Sequence, residues 1–329
     1  MNTASAADRL IDGVVAGDRR AVARVISLVE NGTEHAQAIL HALYPRSGRA
    51  YRIGITGPPG AGKSTLTNKL ARSYRSQGLR VGIIAVDPTS PFTGGALLGD
   101  RVRMTDVELD EGVFIRSMAS RGSLGGLSRK AKEAADVLDA AGFHIILMET
   151  VGVGQSELDV ARAVDSTVVV LVPESGDGIQ AMKAGLMEIA DIFVLNKSDR
   201  PGADQAIMSI KMILGFRPHD EHSWLVDIVK TQANDGLGIP DLAALVGRHR
   251  EYLERGGGLQ ARRKDRLAKR VKDLVEERLQ TDLWSRERLG MLAQDVERAY
   301  ERTTTPYAIA EQLISHFLNG SGGHDEQRL

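Results

Sequence analysis

Apolar positions change their spacing twice along this chain. Over residues 1–48 the spacing is helical. Leu10, Ile11, Val14 and Val15 recur on one face, and 21-AVARVISLVE-30 and 36-AQAILHAL-43 continue the pattern until Pro45, Ser47 and Gly48 break it. From Tyr51 short β-rich runs alternate with helical stretches. The predicted strands are 51-YRIGIT-56, 81-VGIIAV-86, 113-VFIRSM-118, 144-HIILME-149, 167-TVVVLV-172, 191-DIFVLN-196 and 224-WLVDIV-229. Several are apolar almost throughout, as strands buried on both faces of a mainly parallel sheet are. Helices such as 64-STLTNKLARSYRSQG-78 and 128-SRKAKEAADVLDAAG-142 separate them. The alternation predicts a doubly wound α/β domain whose ligands sit at the carboxyl ends of its strands.

After Gly258 the helical period returns. Leu267, Val271, Leu274, Val275 and Leu279 form one stripe, Leu289, Leu292 and Val296 suggest another, and a last helix spans 307-YAIAEQLISHFL-318. These helices either cap the sheet or pair with another copy. The expected division is a helical segment at 1–48, the α/β domain at 49–255, a helical extension at 256–318, and a disordered polar tail at 319–329.

Composition narrows the function classes. The 329 residues carry a net charge of -1, so no global basic field attracts nucleic acid or an anionic membrane. Aromatics are only 4%, too sparse for base-stacking platforms. The absence of cysteine excludes disulfides, thiolate metal sites and cysteine nucleophiles. The start, MNTASAADRLIDG, lacks the features of a signal peptide, and the longest aliphatic run, 168-VVVLV-172, is far too short to span a bilayer. A cytoplasmic protein without membrane or nucleic-acid partners is expected.

The chemistry begins at 54-GITGPPGAGKST-65. From Gly57 the spacing is that of a phosphate-binding loop: a strand, then Gly57, Pro58, Pro59, Gly60, Ala61 and Gly62, then Lys63, Ser64 and Thr65 opening a helix. Gly57 and Gly62 permit backbone angles that a Cβ forbids, so successive N–H groups turn inward on phosphate oxygens. The helix N-terminus adds positive potential. Lys63 is expected on the β/γ-phosphates and the Ser64 hydroxyl on Mg²⁺. The fold class is therefore a P-loop NTPase.

The base is read from 191-DIFVLNKSD-199. A carboxylate at Asp199 accepts from both N1–H and the exocyclic amine of guanine, whereas adenine leaves it unpaired. Asn196 is expected to tie this turn to the phosphate loop, with the Lys197 stem over the base. A backbone N–H in 231-TQANDGLG-238, at Ala233, is either a contact to guanine O6 or part of an ordinary turn. GTP and GDP are the expected ligands.

An acid near Mg²⁺ and a glycine at the γ-phosphate complete such a site. Glu149 ends a strand beside the phosphate loop, and Gly152 lies in 150-TVGVGQSE-157. Asp87 and Asp100, in 85-AVDPTSPFTGGALLGDRVRM-104, are further candidates for the metal and the attacking water. The alternatives are a turn-forming Asp before proline for Asp87 and a helix N-cap for Asp100. The loop 173-PESGDGIQAMK-183 is a third switch or a connection.

The stretches 85–104, 149–165 and 174–199 together resemble the MeaB/ArgK family of GTPases, to which the human methylmalonic aciduria type A protein is related. The resemblance covers about residues 20 to 318. It implies a homodimer that associates with an adenosylcobalamin-dependent acyl-CoA mutase, chiefly methylmalonyl-CoA mutase. It also implies slow GTP hydrolysis accelerated by the mutase, gating of cofactor loading, and protection of the mutase. Carried over by position, Lys63 and Ser64 bind phosphate and Mg²⁺. Asp87, Asp100 and Glu149 are the metal and catalytic acids, Gly152 belongs to the second switch, residues 176–183 form the third, and Asn196, Lys197 and Asp199 hold guanine. The third switch reads Gly-Asp-Gly-Ile-Gln, where familiar members have Gly-Asp-Glu, so Gly178 removes a carboxylate. A metal-delivery GTPase is the first alternative, disfavoured by the lack of cysteine. An ATP-dependent kinase linked to amino-acid transport is the second, disfavoured by Asp199.

Overall fold

The computed structural model describes residues 6–87, 109–119, 129–150, 156–175, 184–216, 220 and 223–321. Asp100, Gly152, residues 176–183 and the Asp87 side chain lie outside that description. The chain divides into two compact units, Met1–Arg262 and Arg263–Leu329. No described helix is long and apolar enough to cross a membrane.

The first unit is built on seven parallel strands in the order β3-β2-β4-β1-β5-β6-β7. They are β1 (Tyr51–Thr56), β2 (Val81–Asp87), β3 (Val113–Ala119), β4 (Ile145–Thr150), β5 (Ser166–Leu171), β6 (Ile192–Leu195) and β7 (Asp227–Lys230). Alternate strand residues feed different layers. Ile53, Ile83, Leu147, Val168 and Val194 face α4 (Lys63–Ser76) and, further along the chain, α9 (Ile239–Arg255). Ile84, Ile146 and Met148 face the N-terminal helices α1 (Ala6–Val15), α2 (Arg19–Glu30) and α3 (Glu34–Leu43), together with α5 (Arg129–Ala140) and α6 (Ser156–Ala161). On that same side, Val169, Leu171, Phe193 and Leu195 pack on α7 (Ala184–Ile189) and α8 (Ala203–Gly215). Asp18 caps α2 by accepting from the Ala21 N–H.

Every residue of the central strands β1, β4 and β5 is buried, which is why their sequences run apolar with little alternation. Their buried polar residues lie at the strand ends, except Arg52 inside β1. Its guanidinium lies 2.7 Å from Asp136 and 3.5 Å from Asp139. Burial works against its charge, but the carboxylates of Asp136, Asp139 and Asp165 outweigh that and raise its pKa. Asp139 also accepts from the N–H groups of Gly48, Arg49 and Ala50, fixing the linker that enters β1.

The last strand differs from the pattern reading. It begins at Asp227, and Trp224 lies before it. The Trp224 indole donates to the Asp191 carbonyl and packs against His249, so that aromatic serves a side-chain cluster and not a ladder.

The second unit is helical. Helix α10 (Gly258–Leu283) runs across the division, followed by α11 (Arg286–Tyr300) and α12 (Pro306–Ser321). Ser285 caps α11 by accepting from the Arg288 N–H, and Ile309 and Leu313 of α12 are buried.

Candidate nucleotide-binding site

Strand β1 ends at Thr56 and the chain turns at once through Gly57, Pro58, Pro59, Gly60, Ala61 and Gly62 into α4. Gly57 has φ 135°, and a Cβ there would stand 2.1 Å from the Val170 carbonyl oxygen. Gly62 has φ 87°, and a Cβ there would stand 2.4 Å from Asn196 Nδ2. Both positions therefore exclude a side chain on conformation and on space. Lys63, the first residue of α4, is buried and donates from Nζ to the Gly57 and Pro58 carbonyls, each at 2.9 Å. Its cation is held along the loop's own backbone. Thr65 is half-buried on the first turn of α4.

Glu149 sits in the ladder beside Ile55 of β1 and Ala85 of β2. Its Oε1 accepts from Ser64 Oγ at 2.6 Å. A buried carboxylate and a hydroxyl from two elements thus meet at the phosphate loop. These are hard oxygen donors, the type Mg²⁺ takes. Among the described residues no group of three or more His, Cys, Asp and Glu could hold a metal, so further ligands would have to come from elsewhere. Thr150 Oγ1 donates to Thr56 Oγ1 at 3.0 Å, tying the ends of β4 and β1 together.

The strand-end turn at 196–200 packs against the same loop. Asn196 Nδ2 donates to the Ala61 carbonyl at 2.8 Å. Its Oδ1 accepts from Thr231 Oγ1 and from the Ala233 N–H, each at 3.0 Å. One buried amide therefore joins the phosphate loop, the end of β6 and the segment after β7. Lys197 adopts φ 55°, uncommon for a residue with a side chain. Its Nζ donates to the Gly60 carbonyl at 2.9 Å. Asp199 is exposed on the turn, whose next residue, Arg200, is ion-paired with Glu174.

The structure brings Lys63, Ser64, Glu149, Asn196, Lys197 and Ala233 to one end of the sheet. Ala233 is there with its N–H donated to Asn196. Thr231 carries a role that the sequence did not single out, because a threonine after a strand is an ordinary residue until its partner is known. A second cluster was also missed. At the amino ends of the strands, Tyr51 OH bonds Ser166 Oγ at 2.6 Å and Ser166 Oγ bonds His249 Nδ1 at 2.6 Å. His249 Nε2 lies 3.4 Å from Asp191 Oδ1, and Asp191 takes both arms of the Arg262 guanidinium. Burial pushes the His249 pKa down to about 4, against the attraction of Asp191.

Comparison with known proteins carries this geometry to a family. The family model for methylmalonyl-CoA mutase-associated GTPase MeaB matches residues 22–288. The chain belongs to the MeaB family. A Pyrococcus horikoshii protein named as a GTPase is 50% identical to this MeaB chain over 314 residues, covering 95% of the chain and 93% of that protein. The mitochondrial methylmalonic aciduria type A homolog of Mus musculus is 34% identical over 291 residues, covering 82% of this chain and 69% of that one. A crystal structure titled as LAO/AO transport system kinase superposes with a TM-score of 0.71 at 28% identity, covering 97% of this chain and 99% of its own. This MeaB protein therefore has the P-loop GTPase fold, binds guanine nucleotide and hydrolyses GTP.

Proposed function

We propose that this GTPase is a nucleotide-dependent chaperone of an adenosylcobalamin-dependent acyl-CoA mutase, methylmalonyl-CoA mutase or a close relative. It would gate cofactor loading and protect the loaded mutase. The observation that carries the reading is the match to the mutase-associated family over residues 22–288. The likeness to the mouse methylmalonic aciduria protein supports it.

Within the site, the Lys63 ammonium and the loop N–H groups meet the β- and γ-phosphate oxygens and stabilise the charge that spreads over them as water attacks in line. Ser64 and Glu149 would hold Mg²⁺, with Asp87 and Asp100 as the further acids, and Gly152 would serve the γ-phosphate. Bound there, Mg²⁺ supplies charge neutralisation at the phosphate oxygens. Asp199 recognises guanine, Lys197 covers one face of the base, and Asn196 with Ala233 holds the base turn against the phosphate loop. The protein works as a homodimer, for which the support is that α10 buries no residue of its own.

The test is binding. The purified protein, loaded with a non-hydrolysable GTP analogue or with GDP, is titrated against purified adenosylcobalamin mutases. One mutase is expected to bind at least tenfold more tightly in one nucleotide state. Equal or absent binding in both states for every mutase would reject the chaperone reading.

A further inference from the structure

The turn that presents Asp199 is pinned on both sides. The Ser198 N–H donates to the Thr231 carbonyl at 3.1 Å, and the Arg200 N–H closes the turn on the Lys197 carbonyl at 3.1 Å. The Lys197 side chain reaches the Gly60 carbonyl of the phosphate loop. Arg200 reaches elsewhere, and its guanidinium donates to the Glu174 carboxylate. Asp199 therefore stands between two side-chain anchors.

Glu174 belongs to a different element. It lies on a short 3₁₀ turn (Pro173–Ser175) that follows β5. In the sheet β5 runs between β1, which ends in the phosphate loop, and β6, which ends in the base turn. By charge alone a carboxylate at that place opposes an anionic ligand. Its pairing offsets that effect. The hydrogen bond from Arg200 holds the Glu174 carboxyl below its ordinary range, and the Lys197 charge works in the same direction. The pair adds little to the stability of the fold, because both side chains are exposed and an ion pair in water is weak. What it fixes is the course of the turn. It joins the residue after Asp199 to the end of the neighbouring strand, 26 residues away in sequence.

We propose that Glu174 and Arg200 are positioning residues for guanine, a clamp that holds the Asp199 carboxylate where it meets N1–H and the exocyclic amine of the base. The proposal rests on the reading of Asp199 as the guanine acceptor. Without the clamp the turn has to be ordered on binding, and that cost lowers affinity. Charge and position predict opposite results at Glu174. A field effect alone makes Glu174→Gln bind an anionic nucleotide more tightly. The clamp makes it bind more weakly, as Arg200→Gln does.

GDP and IDP binding are measured by titration calorimetry on the full-length parent, on Glu174→Gln, Arg200→Gln, Glu174→Arg and Arg200→Glu, and on the exchanged pair Glu174→Arg with Arg200→Glu. IDP lacks the exocyclic amine and makes one of the two bonds to Asp199, so it gains less from the clamp. Each neutral variant is expected to bind GDP about fivefold more weakly and IDP less than about twofold more weakly, the scale of one exposed ion pair. Its thermal midpoint is expected to stay that of the parent. The exchanged pair is expected to return GDP affinity to within about twofold of the parent, which the two single reversals do not.

A Glu174→Gln protein that binds GDP as tightly as the parent, or more tightly, overturns the clamp. Equal weakening of GDP and IDP overturns it too, since the pair would then serve the site without acting on guanine. So does an exchanged pair no better than its single reversals. Asp199→Asn separates the premise from the proposal. If that variant keeps the parent's preference for GDP over IDP, the guanine reading fails and the clamp with it. If it loses the preference while Glu174→Gln keeps it in full, the clamp alone fails.

Discussion

Asn196 shows how one side chain can hold a site together. Its amide spends its donor on Ala61 and its acceptor on Thr231 and Ala233, so three separate segments share one planar group. In Asn196→Ala the Thr231 hydroxyl and the Ala233 N–H lose their acceptor in a buried setting. That costs about 1–3 kcal/mol for each group left unsatisfied. A lower urea midpoint with weaker GDP binding is expected, and unchanged stability would remove Asn196 from this structural role. Asp199 makes a different kind of prediction, because it is exposed on its turn. Asp199→Asn replaces a double acceptor by an amide that can donate to a carbonyl at C2 of the purine. GTP affinity is expected to fall at least a hundredfold and XTP affinity to rise, with stability unchanged. A variant that still prefers GTP would show that guanine is read elsewhere.

Among the described residues, the strands, the phosphate loop and the turn after β6 were the legible part of the chain. The apolar runs at 145–148 and 168–171 reflect burial on both faces of the sheet. The phosphate loop was legible because Gly57 and Gly62 are forced, one by Val170 and the other by Asn196. The opposite edge was not legible. Tyr51, Ser166, Asp191, His249 and Arg262 come from five places in the sequence, and their spacing carries no period. Only the fold joins them, and Trp224 was drawn from its expected strand into the same cluster.

This edge gives a pH prediction. His249 is buried and its pKa is lowered to about 4, so it is neutral in the folded protein at neutral pH. The unfolded chain takes up a proton near pH 6.5, before the folded one does. Stability from this group is therefore full above about pH 6.5, falls as pH drops toward 4, and is level below that. The loss is up to about 3 kcal/mol. Thermal midpoints measured from pH 7.5 to 4.5 are expected to fall less steeply in His249→Gln than in the parent. Equal slopes would assign the acid sensitivity to other groups.

The two units divide the work. The first carries the candidate nucleotide site at the carboxyl ends of its strands. At their amino ends Arg262, its last residue, clamps Asp191 just before β6, the strand that ends in Asn196. The second unit carries the exposed aliphatic stripe of α10, a surface suited to protein contacts more than to chemistry. That arrangement suits a timer whose turnover is set by a partner. The decisive measurement is the rate of GTP hydrolysis by the purified protein, alone and with each adenosylcobalamin-dependent mutase of its source organism. One mutase is expected to raise the rate about tenfold or more, with Lys63→Ala reducing turnover by about 10²–10³ in both conditions. A rate indifferent to every mutase would contradict the chaperone role while leaving the GTPase intact.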